Sequence, residues 1–481
     1  MIDYGKLGLK AGLEIHQQID AGGKLFCRCP AFLRSEKPDV IVRRKLHAVP
    51  GETGEVDTAV EFEAAKGKEF VYEGYRESTC LVEYDEGPPH FINEDALDEV
   101  LKIALLLNCE IYSSPQIMRK TVIDGSNTSG FQRTVLIAHD GYLKMDFGKV
   151  EIESVVLEED AARIVEKKEK EAIYRLDRLG IPLVEIATSP DLHTPEQIKE
   201  CALKIGEILR ACKVKRGIGT IRQDLNISIK GHDRVEIKGF QEPKMMIKTV
   251  ELEVERQLEE LKERKKEGGV RGALSDGNTE YLRPMPGQDR MYPETDLPLL
   301  KIGRERINRT KKELPKLRGE IRDELRKKGL NEELINLVLG QGNLEEFKVL
   351  LEVHDDANLV GKMVSLWRNE LAIKNGKSLD EVREILNERV LERVLEAVAH
   401  GRLGKEHVRN ALGEILEGKK VEEALKIEKV GSDELEEEIR KIIKEKPGLR
   451  ASAYMGLVIG KLGGKTDKRK AMEILKKITG E

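Results

Sequence analysis

The chain has 481 residues, 36% charged and only 4% aromatic, with a formal net charge of −5. That length exceeds what one hydrophobic core supports, so two or three domains are expected, and the acidic balance excludes a uniformly basic nucleic-acid binder while leaving room for a local basic patch. Six scattered cysteines exclude a disulfide scaffold, and no leader-like or ~20-residue apolar run is present, so a cytoplasmic chain without membrane contact is expected.

Up to about residue 300, short alternating segments are separated by Gly and Pro. Leu13 to Ile19 alternates with period two, which places Glu14, His16 and Gln18 on one face and Leu13, Ile15 and Ile19 on the other. Cys27-Arg28-Cys29 resembles half of a metal site, but no second cysteine pair follows at zinc spacing. Cys80 or His47 could join them only through folding, so a turn with two semi-buried thiols is expected, and zinc at Cys27/Cys29 is the less favoured alternative. A helix is predicted over Asp95 to Leu107, and the strand-like Ser154 to Leu157 runs into the acidic triplet Glu158-Glu159-Asp160. Glu185 interrupts the apolar run Ile181 to Ile186, where a charge is costly unless it is paired or bound to a cation.

Thr194, Pro195 and Gln197 make the capping box of a helix whose apolar stripe runs Ile198, Cys201, Ala202, Ile205, Ile208, Leu209 and Cys212. Two further alternating stretches follow. Asp224, Asn226 and Ser228 share a polar face opposite Leu225, Ile227 and Ile229, and Glu236 and Lys238 oppose Val235 and Ile237. A charged helix is predicted over Thr249 to Lys266. Residues 292–298 form a Pro-punctuated exit, after which Arg304 to Glu417 reads as amphipathic helices, a bundle. A polar break at Gly431-Ser432-Asp433 precedes a small helical unit ending in Lys461 to Lys477. The predicted architecture is α+β: an antiparallel-sheet cradle domain over residues 1–300, a helical domain over 301–430 and a small helical tail over 431–481.

If the polar strand faces converge, they present several carboxylates and one imidazole in one concave surface, a donor set that suits magnesium. A sheet with a solvated second face is the plain alternative, and the isolated Glu185 weighs against it. Gly464-Lys465-Thr466 resembles the end of a phosphate-binding loop, but the position five residues before Gly464 is Ile459 and not Gly, and the segment follows a helix, so it is rejected as a nucleotide site. No nucleophile–base motif is found, so the chain is a poor candidate for releasing ammonia itself. The basic stretches Lys301 to Lys328 and Lys461 to Lys477 would suit phosphate contact, although charged helical runs are more often solvated faces. The Lys and Glu excess matches hyperthermophile composition, and a solvated helical surface produces the same bias.

The run Gly12 to His16 followed by Leu25 to Pro30 resembles the opening of the GatB/GatE family, the kinase subunits of tRNA-dependent amidotransferases. Leu157 to Ala161, Gly180 to Ile186, Ser189 to Asp191, Arg222 to Ser228, Glu236 to Lys238 and Tyr292 to Glu294 continue the resemblance in order, over essentially the whole chain. Arg119 to Gln132, with Asn127-Thr128-Ser129-Gly130 at its centre, looks like the archaeal GatE branch; the bacterial GatB branch carries an aromatic- and Pro-rich stretch there. The resemblance implies ATP and Mg2+ as small-molecule requirements and glutamyl-tRNA(Gln) as substrate. It also implies an asparaginase-like, ammonia-producing partner (GatD) in a hetero-oligomer, a heterotetramer, and a tRNA-binding, YqeY-like tail.

Under that resemblance Glu14, His16, Glu158, Glu159, Glu185, Asp224 and Glu236 carry the chemistry. Glu14, His16, Glu159, Glu185, Asp224 and Glu236 are the metal candidates. Asn226, Lys238 and Gln241 are second-rank candidates for phosphate, substrate or ammonia. One departure stands out: an insertion resembling part of aspartyl-tRNA synthetase, usual in the GatE branch, is absent, and only Lys266 to Gly272 occupies its place. The alternatives are a bacterial-type GatB chain acting also on aspartyl-tRNA(Asn), a non-catalytic tRNA-binding scaffold, and an unrelated metal-stabilised α+β protein.

Overall fold

The computed structural model describes residues 2–51, 54–240, 243–285, 290–425, 432–462 and 468–479. Gln241, Gly431 and Gly464-Lys465-Thr466 lie outside them. The chain divides into two compact units, one up to Leu317 and one from Arg318 onward.

Among the described residues of the first unit, fifteen strands form two sheets. They are β1 (Lys10–Gln18), β2 (Val40–Arg44), β3 (Glu69–Gly74), β4 (Glu110–Ile111), β5 (Ile117–Thr121), β6 (Phe131–Met145), β7 (Gly148–Glu159), β8 (Arg163–Lys167), β9 (Glu171–Arg175), β10 (Pro182–Thr188), β11 (Ile221–Ser228), β12 (Val235–Phe240), β13 (Gly269–Ala273), β14 (Thr279–Arg283) and β15 (Met291–Pro293). The larger sheet has the order β14-β13-β12-β11-β1-β10-β7-β6-β5-β15, with β4 beside β6; the smaller is β2-β3-β9-β8. The predicted antiparallel pairing holds through most of the large sheet. The pair β12–β13 is parallel because the helix Pro243–Lys262 carries the chain back across the sheet between them.

The period-two expectation is met on both faces. Leu13, Ile15, Val155, Leu157, Val184, Ile186, Leu225, Ile227, Val235 and Ile237 all join one buried apolar core. Three helices cover that face, Glu94–Leu106, Pro195–Ala211 and Pro243–Lys262, contributing residues such as Val100, Ile205 and Val250. Each fully buried aliphatic side chain contributes about 1.5–3 kcal/mol of transfer free energy, so strand register is held by dozens of mutually consistent contacts. A slip of one residue would exchange the core face for the charged one.

The helix boundaries carry two small corrections. Thr194 caps Pro195–Ala211 as expected, accepting a hydrogen bond from the Gln197 backbone, but the Gln197 side chain accepts from His193 N (2.8 Å) and not from the cap residue, so the box closes one residue early. The predicted Thr249–Lys266 helix begins at Pro243 and stops at Lys262, because Arg264 takes a left-handed conformation (φ 62°) and Lys265 N returns to Glu260 O. The segment Lys266 to Gly272, where the resemblance places a missing insertion, is thus a short turn, Lys266 to Gly268, followed by the first four residues of β13. The helix Arg304–Lys312 belongs to the first unit, where Arg306 pairs with Asp98 at 2.6 Å and with Glu94.

The second unit is helical throughout its described residues, from Arg318–Lys327 to Lys468–Thr479. It contains two separate apolar clusters, one built on residues such as Phe347, Val364, Leu391 and Leu412, the other on Leu435, Ile439, Tyr454 and Leu475. Arg368 is buried within the former, paired with Glu346 at 2.6 Å.

Gly12 sits tight against the end of β10: a Cβ there would lie 2.8 Å from Thr188 O and 3.3 Å from Ser189 O. Backbone oxygens cannot yield as a flexible side chain would. Gly12→Ala is expected to destabilise the chain by about 1–3 kcal/mol, read as a lowered thermal midpoint; an unchanged midpoint would show that β10 is free to retreat.

Candidate active site and thiol cluster

The face of the large sheet opposite the helices lines a cavity of about 720 Å³, within the range of small-molecule sites. Register decides which side chains meet there. Across β1, β10 and β11, His16 stands opposite Glu185 and Glu14 opposite Asp224; Asn226 stands opposite Glu236 across β11 and β12. Glu158, on β7 beside β10, faces the same space. Six of the seven residues expected to carry the chemistry therefore line one cavity, together with Asn226 and Lys238.

His16 is the hub. Its Nε2 lies 3.1 Å from Glu185, 3.5 Å from Glu14 and 3.7 Å from Glu158. Lys120 Nζ contacts Glu158 at 2.8 Å and Glu185 at 3.6 Å. Lys238 Nζ contacts Asp224 at 2.8 Å and also Glu236. Burial works against charging His16, but the hydrogen bond to Glu185 and the charges of Glu185, Glu158 and Glu14 outweigh it and raise its pKa. Burial, then the neighbouring Glu185, pushes the Glu14 carboxyl up to about 6. Glu185 is held below the ordinary carboxylate range: burial opposes this, but Lys120, His16 and, at longer range, Arg290 prevail. Lys238 is raised, because Asp224 and Glu236 outweigh its burial.

Two groups of donors lie within cation-binding reach, Glu14, His16 and Asp224 in one and His16, Glu158 and Glu185 in the other. Oxygen-rich donors with a single imidazole fit a hard divalent cation, and the lysines beside them show that positive charge is needed there.

Glu159 is set apart from this cluster, contrary to its inclusion among the metal candidates. Strand alternation turns it to the opposite side of β7 from Glu158, where Arg133 pairs with it at 3.5 Å and donates its backbone N–H. Asp160 likewise stays outside the cavity: its carboxylate accepts from Gln18 Nε2 (2.6 Å) and Arg222 Nη2 (2.9 Å), which fixes Arg222 on the cavity wall. Neither Arg222 nor Lys120 is among the residues that sequence reasoning singles out. Arg222 was detectable, since the alternation through Asp224 and Asn226 extends two residues back to it. Lys120 was not, because β5 is Ile-Met-Arg-Lys-Thr and has no clean apolar face.

Behind the sheet, the expected turn with two isolated thiols proves to be a larger cluster. Folding brings Cys80 and Glu83 to Cys27 and Cys29, with all four ligand atoms within 4.8 Å of one another. Glu83 is also gripped by Lys24, fully buried, at 2.7 Å. Hydrogen bonds from Cys27 and Cys29 hold the Cys80 thiol far below the ordinary range. His47 is not part of this group. Part of the basic density around Lys301 to Lys328 is already engaged: Arg309 pairs with Asp98 and both Arg322 and Arg326 pair with Glu332. Among the described residues no helix is long and apolar enough to cross a membrane.

A family model described as the GatB/GatE catalytic domain matches residues 9–308, a span that contains every cavity residue named above. The chain is 36% identical to the GatE-type chain of a glutamyl-tRNA(Gln) amidotransferase from Methanocaldococcus jannaschii, covering 99% of both chains. It is 32% identical to the corresponding chain of Sulfurisphaera tokodaii over the full length of both, and 48% identical to that of Pyrobaculum neutrophilum over 55% of this chain and 44% of the relative. The first of these alignments runs over 627 positions against a chain of 481 residues, so that relative carries a stretch with no counterpart here.

The raised His16 and Glu14 values set a testable sign. A group whose folded pKa is raised contributes stability that is complete below its unfolded pKa and is lost as pH rises through the folded value. Without divalent cation, stability is therefore expected to fall as pH climbs through about 6 for Glu14 and then above the ordinary histidine value, and His16→Gln should flatten the upper part of that slope. Magnesium should reverse the loss above neutrality, by about 2.7 kcal/mol at a hundred times its dissociation constant. Thermal midpoints across pH, with magnesium and with chelator, check both; identical curves would remove the cavity as a cation site.

Proposed function

The chain belongs to the GatB/GatE family, and we propose that it is the ATP-dependent ligase component of a tRNA-dependent amidotransferase, converting glutamyl-tRNA(Gln) to glutaminyl-tRNA(Gln). The observation that carries this reading is the floor of the cavity, where Glu14, His16, Glu158, Glu185, Asp224 and Glu236 converge within the matched region.

In the proposed reaction an oxygen of the glutamyl γ-carboxylate attacks the γ-phosphorus of ATP. The bond from that phosphorus to the bridging oxygen breaks and ADP leaves. Ammonia then attacks the acyl carbon, phosphate departs, and nitrogen loses a proton to give the amide. Such a reaction depends on placement and charge neutralisation more than on covalent help from the protein. Magnesium held by Glu14, His16 and Asp224 and by His16, Glu158 and Glu185 would supply neutralisation of the phosphate oxygens. The chain's own groups supply the rest. Lys238 stands between Asp224 and Glu236, Lys120 between Glu158 and Glu185, and the Asn226 amide offers both a donor and an acceptor to the ligand.

Ammonia would come from an asparaginase-like partner. A small hollow behind the sheet, lined by polar residues such as Lys24, Glu83 and Arg133 and by Phe26, Val82 and Leu179, shares Asn127 with the main cavity, and we place the entry of ammonia on that side. In this reading residues 1–300 act as the cradle, 301–430 as a helical domain and 431–481 as the tRNA-binding tail. The thiol cluster fits a structural zinc ion, with three thiolates and the Glu83 carboxylate as ligands. Purified chain should then carry a single zinc that is lost in Cys27→Ser and Cys80→Ser, by elemental analysis; zinc-free chain of unaltered stability would end that assignment.

Single-turnover ATP cleavage with the partner bound and magnesium present should depend on added glutamyl-tRNA(Gln) and yield glutaminyl-tRNA. Glu14→Ala and Glu236→Ala should each lower that rate by on the order of a hundredfold with tRNA binding kept. A wild-type chain that binds the tRNA under these conditions and cleaves no ATP would be a recognition scaffold.

A further inference from the structure

β14 and β15 are the two end strands of the large sheet, nine strand spacings apart in its order, yet only residues 284–290 join them. Ten strands laid flat would separate the ends by about 43 Å. The connecting residues reach at most about 29 Å when fully extended. The sheet must therefore curl until its ends approach across the cavity, and the residues flanking the connection, Arg283 and Arg290, both line it.

The charges across this curved sheet are ordered. Acids occupy the central strands: Glu236 on β12, Asp224 on β11, Glu14 on β1, Glu185 on β10 and Glu158 on β7. Arg283 stands at the β14 end and Arg290 immediately before β15 at the other. Among the described residues neither guanidinium has an ion-pair or hydrogen-bond partner, whereas Lys120, Lys238 and Arg222 in the same cavity each hold a carboxylate. A guanidinium facing a cavity without an anion offers its planar fork to a ligand, and that fork matches phosphate oxygens two at a time. The acidic floor would repel a polyphosphate unless fixed cations at the sides receive it.

We propose that Arg283 and Arg290 form a two-sided clamp on the phosphate chain of a nucleoside triphosphate, holding it across the cavity above the carboxylates. The clamp rests on the ligase function proposed above and names the residues that would bind its nucleotide. Phosphodiesters at the end of a tRNA share the same chemistry, so the test separates the two sources.

Arg283→Gln, Arg290→Gln and Arg290→Lys would be compared with the wild-type full chain, partner bound. The assays are KM and kcat for ATP cleavage, inhibition by inorganic triphosphate, and binding of uncharged tRNA, with thermal midpoints reporting folding. Each Gln variant is expected to raise KM for ATP about tenfold and weaken triphosphate inhibition equally, with kcat changed less than about threefold. Affinity for tRNA should stay within about twofold, and the Lys variant should recover part of the loss, since it keeps the charge without the fork.

Folded Gln variants with wild-type KM and inhibition would overturn the clamp. Loss confined to tRNA binding would overturn it by moving the arginines to the other phosphate source. Altered magnesium stabilisation with unaltered nucleotide binding would overturn it in favour of mere charge balance on the acids. A wild-type chain that neither binds nor cleaves ATP would overturn the ligase reading and the clamp together, an outcome distinct from the other three.

Discussion

Five carboxylates gathered around one imidazole repel each other, and their mutual repulsion in a half-buried space is the constraint the rest of the site answers to. Glu14 responds by taking a raised pKa, His16 by favouring its charged form, and Lys120 and Lys238 by inserting ammonium groups between acid pairs. Such an arrangement is poor for stability alone, because buried charges rarely repay their desolvation and apolar residues of similar size would serve at least as well. Its cost is intelligible if the acids hold a divalent cation and, through it, phosphate.

The sheet makes this concentration of charge tolerable. One face is anchored by an apolar core under three helices, which leaves the other free to carry polar side chains without loss of register. Curling then converts a flat polar face into a concave one, so that residues on strands far apart in the order come to face the same space. The short connection from β14 to β15 makes the curl a covalent necessity and not only an accumulation of strand twist. The turn from Arg264 to Gly268 lies between a helix end and β13, outside the strands that carry the acids, and the cavity is built without it.

The thiol cluster behind the sheet shows the same economy of elements. It joins the turn after β1 to the Ser78–Glu83 segment, with buried Lys24 linking Glu83 to the carbonyls of Ser78 and Leu176. Three separate stretches of irregular backbone are thereby tied together next to the hollow that contains Arg133 and Glu159. Fixing irregular loops in this way is what a small polar or metal-bound knot can do where no helix or strand ladder is available.

The sequence by itself determined which side chains share a strand face. With a period of exactly two, Glu14 with His16, Asp224 with Asn226 and Glu236 with Lys238 were legible from local alternation alone, as were the helix cap at Thr194 and the cysteine stripe beneath it. The ordered motifs likewise identified the family. Tertiary structure decided what local periodicity does not encode. At the end of β7 it chose Glu158 over Glu159 for the cavity, because the phase of that strand is set by its neighbour β10 and not by its own acidic run. It recruited Lys120 from a strand with no readable alternation. Across some fifty residues of intervening chain it brought Cys80 and Glu83 to Cys27 and Cys29, and it brought Arg283 and Arg290, from the two ends of the strand order, into the lining of one cavity. Periodicity is a property of neighbours along the chain, whereas a site is made of neighbours in space, and only strand order and curvature convert the first into the second.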